Sequence, residues 1–250
     1  VGLFMKLHDQ TAIVTGASSG IGEAIAHELA REGANIVLAA RRSDRLEALA
    51  SQLEKKHGAK TLVVKTDVTR RDEMERLVQE AKDEFGTIDI LVNNAGVMLL
   101  SFLKNDHVDE WERMVDVNIK GVLYGIHAVL PSMMEQKHGH IINVSSVAGH
   151  EIFPSSTVYS ATKYAVRAIS QGMEKELSSS GLRVTNVSPG AVSTELTQHI
   201  TDSEVKEMFA SRPMNPLQPT DIANAVVYAV TQPESVNINE VIVRPTNKVM

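Results

Sequence analysis

The stretch Thr11 to Glu23, TAIVTGASSGIGE, constrains the fold more than any other part of the chain. Ala12, Ile13 and Val14 form a short apolar run suited to a strand buried on both faces, and the run then breaks into Gly16, Ser18, Ser19, Gly20, Ile21 and Gly22. Strand, tight turn and helix start follow one another within these residues. Glycines let backbone come close to a ligand, and a helix opening near Ile21 aims unsatisfied N–H groups and its positive dipole end above the turn. Such a place is suited to a pyrophosphate. An ordinary strand-to-helix turn is the alternative.

The spacing G-x-x-x-G-x-G, with no Lys-Ser or Lys-Thr pair after the last glycine, is not that of a P-loop. It also differs from the G-x-G-x-x-G of the larger dehydrogenases. With Thr15 in front, it resembles the T-G-x-x-x-G-x-G of the short-chain dehydrogenases/reductases. That resemblance extends over nearly the whole chain. It implies an α/β Rossmann fold, a doubly wound parallel sheet of about seven strands flanked by helices.

A chain of 250 residues with 43% hydrophobic content can bury one large core, and we expect a single domain over residues 5–250. Met5 is taken as the natural start and Val1 to Phe4 as an expression remnant. A formal net charge of −6 argues against nucleic acid or an anionic membrane as the main partner and for a small molecule. Cysteine is absent, so thiol nucleophiles, thiolate metal ligands and disulfides are excluded. No apolar run reaches the ~20 residues of a membrane span. A cytoplasmic protein is expected.

Strands are expected at 12–14, 35–40, 61–64, 88–92, 140–144, 183–187 and 236–245, with long helices over 110–134 and 159–180 and a last one over 221–230. After the second strand come Ala40, Arg41 and Arg42. In dinucleotide folds an acid near this point binds a ribose 2′-hydroxyl, whereas arginine accommodates a 2′-phosphate. A guanidinium makes charge-assisted bonds to phosphate, so NADP is favoured over NAD, with Arg41 as the main contact and Ser18 or Arg42 in support. The competing reading is a solvated charge pair. Asp67 and Val68 resemble the family's adenine-contacting pair, although Asp67 is equally well placed to cap a helix.

The fourth strand delivers Asn93, Asn94, Ala95 and Gly96, which match the family's NNAG motif, to the carboxyl edge where ligands sit in such sheets. Asn118 falls in a helix that is apolar over much of its circumference, so its amide is either a satisfied structural group or a functional one. The resemblance places the family's helical active-site asparagine there. Tyr159 and Lys163 lie at i and i+4 and share a helix face. A serine thirteen positions before the tyrosine selects Ser146 over Ser145. The resemblance thus assigns Asn118, Ser146, Tyr159 and Lys163 to catalysis.

Hydride transfer at C4 of nicotinamide must be matched by proton transfer at the substrate oxygen, and a phenol can be both acid and base. Bringing tyrosine from its ordinary ~10 to about 7 takes about 4 kcal/mol of differential stabilisation. A neighbouring Lys163 ammonium, together with the positive charge of the oxidised nicotinamide, has the right sign. Pro189, Gly190 and Thr194 fit the family's P-G-x-x-x-T, which implies contact with the nicotinamide carboxamide. Tyr159 and Lys163 belong to the cofactor contacts as well. Residues 191–219 are polar and proline-punctuated, with an apolar patch at 205–209, and are expected to form a mobile substrate lid. Met98 and His150 are expected to face substrate.

The ending without D-G-G and the stretch Ala40 to Leu46 resemble the bacterial NADP-dependent 3-hydroxy acid and serine dehydrogenase group. Two long apolar helices imply a homotetramer or dimer. His138 and His140 invite a metal, but no third ligand is evident and no metal is expected. The alternative function is a regulator or scaffold that binds NADP without turnover.

Overall fold

The computed structural model describes residues 5–212 and 214–246. The expectation for Val1 to Phe4 lies outside them. Seven parallel strands form one sheet in the order β3-β2-β1-β4-β5-β6-β7. They are β1 Thr11–Thr15, β2 Asn35–Ala40, β3 Thr61–Lys65, β4 Ile90–Asn93, β5 Gly139–Val144, β6 Leu182–Pro189 and β7 Glu240–Val243. The order reverses between β1 and β4, where an α/β sheet opens a crevice at its carboxyl edge.

Alternation along each strand distributes the core. Ala12 and Val14 of β1, with Ile36 and Leu38 of β2, meet helices α1 (Gly20–Arg31), α2 (Ser43–His57) and α8 (Pro219–Val230). Ile13 and Val37 face the other way, onto α3 (Arg71–Phe85), α5 (Gly121–Gln136) and α6 (Thr157–Glu176). Both faces are covered, which explains why these strands read as continuous apolar runs. Among the described residues no helix is long and apolar enough to cross a membrane.

Several expected boundaries move for local reasons. The long helix over 110–134 is in fact α4 (Val108–Met114), a single π-helical turn over Val115–Lys120, and α5. The helix expected to run to Ser180 ends at Glu176, because Ser180 Oγ donates to the Leu177 carbonyl and Gly181, at φ +83°, turns the chain. The last helix starts two residues early, with Pro219 in its first turn and Asp221 accepting the Gln218 N–H at 2.8 Å. The closing strand is shorter than 236–245. Ahead of it the Asn237 side-chain amide, rather than backbone, exchanges bonds of 2.9 and 3.0 Å with Val184.

Residues 191–219 contain a short 3-10 turn, Glu195–His199, and α7, Ser203–Ala210. The apolar patch expected at 205–209 lies within α7. Asp202 caps α7, its Oδ1 accepting the N–H groups of Glu204 and Val205 at 3.0 and 3.3 Å. Its Oδ2 accepts from Phe102 N at 3.0 Å and Asn105 Nδ2 at 2.9 Å. One buried carboxylate therefore anchors the segment to the loop after β4.

Candidate active site

A cleft of about 640 Å³ opens at the carboxyl edge over the β1/β4 reversal. Its floor is the glycine-rich turn. Gly16 has φ +61°, and a Cβ there would lie 2.8 Å from Ala95 Cα. Gly22 is buried below, where a Cβ would collide with the Gly16 carbonyl oxygen. The glycines thus serve close backbone approach. Thr15 Oγ1 accepts from both Asn94 N, at 3.0 Å, and Ala95 N, at 3.1 Å. Asn94 Nδ2 donates back to the carbonyls of Thr15, at 3.1 Å, and Gly16, at 3.3 Å. The two turns are welded together.

On the β2/β3 side the cleft is lined by Ala40, Arg41, Arg42, Asp67 and Val68. Arg41, expected as the main contact, is exposed, and so is Arg42. Arg42 is the fixed one: its Nη2 donates to Ser18 and Ser19 Oγ, both at 3.0 Å. Asp67 Oδ1 accepts from Thr69 N and Oγ1 at 3.0 and 2.7 Å, so it closes a local turn and does not cap α3. Burial raises its carboxyl, but those bonds, with Arg113 and Arg41 nearby, leave it below the ordinary value.

On the β5/β6 side stand Ser146, Tyr159 and Lys163. Ser146 follows β5, and its Oγ accepts from Ala148 N at 3.0 Å. Ser145 is spent on structure, donating to the Lys163 carbonyl at 3.1 Å. Tyr159 and Lys163 share one face of α6 and are both buried, with Lys163 Nζ 5.8 Å from the Tyr159 ring centroid. Nζ also donates to the Val144 carbonyl at 3.2 Å. Burial pushes the Tyr159 phenol up to about 12 against a hydrogen bond from Ser146, and brings the Lys163 ammonium down to about 8. The protein's own groups, Lys163 included, do not supply the lowering of Tyr159 toward 7 expected from Lys163 and the oxidised nicotinamide together. Desolvation penalises both charged forms.

Asn118 sits in the π-helical turn, a distortion that recurs at functional sites. It stands behind Gly96, where a Cβ would meet Asn118 Oδ1 at 3.4 Å and Lys163 Nζ at 3.6 Å. Pro189, Gly190 and Thr194 line the far wall, and Thr194 packs over Gly20. Met98 lines the cleft. His150 does not. It is drawn toward the sheet, with Nε2 2.7 Å from Glu240 Oε1 and 3.1 Å from Ser188 Oγ, so its expected role toward substrate is withdrawn. Arg113 and Glu195 also line the cleft, without any motif in the sequence that marks them, and Arg45 joins it through Glu195. Arg45 lies in the quoted Ala40 to Leu46 stretch, while Glu195 carries no local signal. Among the described residues no three His, Asp or Glu side chains are grouped to hold a metal ion.

The glycine cradle, the N–H groups opening α1 and the basic β2 end fit a dinucleotide. Fold and cleft together define a Rossmann-type oxidoreductase. Residues 10–205 match the short chain dehydrogenase family, and the chain belongs to it. It is 51% identical over 246 residues to an uncharacterized oxidoreductase of Staphylococcus saprophyticus, covering 97% of this chain and 98% of that one. The closed form of a serine dehydrogenase complexed with NADP+ superposes with a TM-score of 0.85 at 35% identity, covering 94% of each chain. An alcohol dehydrogenase from the archaeon Thermococcus sibiricus, complexed with 5-hydroxy-NADP, gives 0.83 at 31% identity over 94% of this chain and 95% of that one.

Proposed function

We propose that this protein moves hydride between NADP(H) and a small alcohol or carbonyl compound, with Tyr159 as acid and base. The observation that carries this reading is the convergence of Ser146, Tyr159 and Lys163 on one wall of a glycine-floored cleft. The nicotinamide supplies or accepts the hydride when bound. In reduction, Tyr159 gives its proton to the carbonyl oxygen as that oxygen gains charge, and in oxidation it takes the hydroxyl proton. Ser146 hydrogen-bonds the same oxygen and keeps it against the phenol. Lys163, held near 8 by burial, replaces the phenol's proton and stabilises the phenolate. Asn118 holds the Val97 backbone, next to Gly96 and beside that lysine.

NADP(H) is favoured because Ala40 offers no carboxylate to a bare ribose, while Arg41 and Arg42 offer cations. The NADP-bound relatives support the same choice. A 3-hydroxy acid or related alcohol is the substrate class proposed, by likeness to the serine dehydrogenase. Assembly into a homotetramer or dimer is proposed from exposed Leu123 and Met134 on α5 and Tyr164 on α6.

A screen of alcohols, 3-hydroxy acids and carbonyls with NADP+ or NADPH tests the reaction. Tyr159→Phe should lower kcat at least about a hundredfold with NADPH binding nearly unchanged. Turnover retained in that variant removes Tyr159 from the role. A wild type that binds NADPH but turns over nothing in the screen favours the regulator or scaffold.

A further inference from the structure

The basic end of the cleft contains an acid. Glu195 opens the 3-10 turn after β6, and its carboxylate is divided between two arginines. Oε1 lies 2.9 Å from Arg45 Nη1, and Oε2 lies 3.2 Å from Arg42 Nη1. The other edge of the Arg42 guanidinium rests on Ser18 and Ser19. Hydrogen bonds from Arg45 and Arg42 hold the Glu195 carboxyl below the ordinary carboxylate range, so it stays ionised at neutral pH. Arg42 is thus spread between the glycine-rich turn and the first residue of a turn whose Leu196, Thr197 and His199 line the same cleft.

A ribose 2′-phosphate carries up to two negative charges and accepts from the donors that Glu195 now engages. Both anions on one guanidinium edge would repel each other. We propose that Glu195 is an internal competitor for the 2′-phosphate, a specificity-determining residue that must leave Arg42 and Arg45 before a 2′-phosphorylated cofactor seats. Its departure releases the start of the 195–199 turn, so the phosphate at one end of the cleft changes the wall at the other. A cofactor with a bare 2′-hydroxyl leaves Glu195 where it is. This inference rests on the NADP(H) reading above.

The competition is modest in size. All three side chains are at least 36% exposed, and solvent-screened pairs of this kind contribute little each, so removing Glu195's charge should tighten binding by roughly two- to tenfold. The experiment is calorimetric titration of wild type and Glu195→Gln with adenosine 2′,5′-bisphosphate and with 5′-AMP, which differ only in the 2′-phosphate, joined to hydrogen exchange over residues 195–199. Glu195→Gln should bind the bisphosphate more tightly and 5′-AMP as wild type does. In wild type the bisphosphate, but not 5′-AMP, should speed exchange in the turn. Equal or weaker bisphosphate binding by Glu195→Gln overturns the competition, and exchange unmoved by the bisphosphate overturns the link to the turn. A wild type that does not prefer the bisphosphate to 5′-AMP overturns the NADP(H) reading itself, which is a different outcome from a wild type with that preference and an unchanged variant.

Discussion

The side-chain amide of Asn118 and the backbone of Val97 exchange two hydrogen bonds, each 2.9 Å long. The same Nδ2 donates to Thr162 Oγ1 at 3.1 Å, and Thr162 in turn donates to the Tyr159 carbonyl at 2.7 Å. The loop after β4 is thereby tied to the helix that carries Tyr159. Asn118→Leu leaves the Val97 groups without partners, and thermal or urea unfolding should show a loss of about 1–3 kcal/mol. A variant as stable as wild type would mean that these bonds count for nothing in the fold.

Lys163→Met should be inactive and yet more stable than wild type at pH 7. The unfolded lysine keeps its proton up to about 10.5, whereas the folded one gives it up near 8. Between those values the unfolded chain binds more protons, so wild-type stability rises with pH across that window. At neutral pH the buried charge costs about 3 kcal/mol, offset in part by the bond to Val144. Denaturation at pH 7 and pH 10 checks this, with the variant's advantage shrinking at the higher pH.

His140 is buried with its Nε2 2.8 Å from Thr185 Oγ1, and Arg183 and His138 oppose its protonation. Burial, the largest effect, brings it down to about 3. Below pH 6.5 the unfolded chain therefore takes up a proton that the folded chain refuses, and stability falls with acidification by up to about 1.4 kcal/mol per pH unit. His138 acts in the opposite sense, being raised by its bond to Asp89. Urea midpoints from pH 4 to 7 should fall less steeply for His140→Gln than for wild type. Parallel curves would assign the acid limb to other groups.

Arg42→Ala should lower kcat/KM for NADPH roughly tenfold, and more than Arg41→Ala does, because Arg42, although as exposed as Arg41, is braced on Ser18 and Ser19. NADH use should barely change in either variant. Steady-state kinetics with both cofactors decides it, and a wild type that prefers NADH would detach this end of the cleft from the 2′-phosphate.

Much of this was legible because it depends on short-range pattern. Buried strands such as 35–40 announce themselves by unbroken apolar residues, and Ser146, Tyr159 and Lys163 by fixed spacing within one strand end and one helix. What escaped depends on partners distant in sequence. Glu195 meets Arg42 and Arg45 across some 150 positions, so nothing near it marks it as part of the cleft. His150 lies only four residues past Ser146, yet Glu240 on β7 decides where its ring points. The π-helical turn at Asn118 was hidden because apolar periodicity reports a helix without reporting one extra residue in a turn.

The weld between Thr15 and the Asn94–Ala95 backbone joins the glycine-rich turn after β1 to the turn after β4. A residue change on either side of that joint must satisfy both turns at once, so the two sides of the cleft floor vary together or not at all. The opposite wall is held mainly by side chains, Asp202 on the loop after β4 and Glu195 on Arg42 and Arg45. Substitutions in that wall therefore break side-chain contacts one at a time and reshape the cleft without disturbing the joined turns.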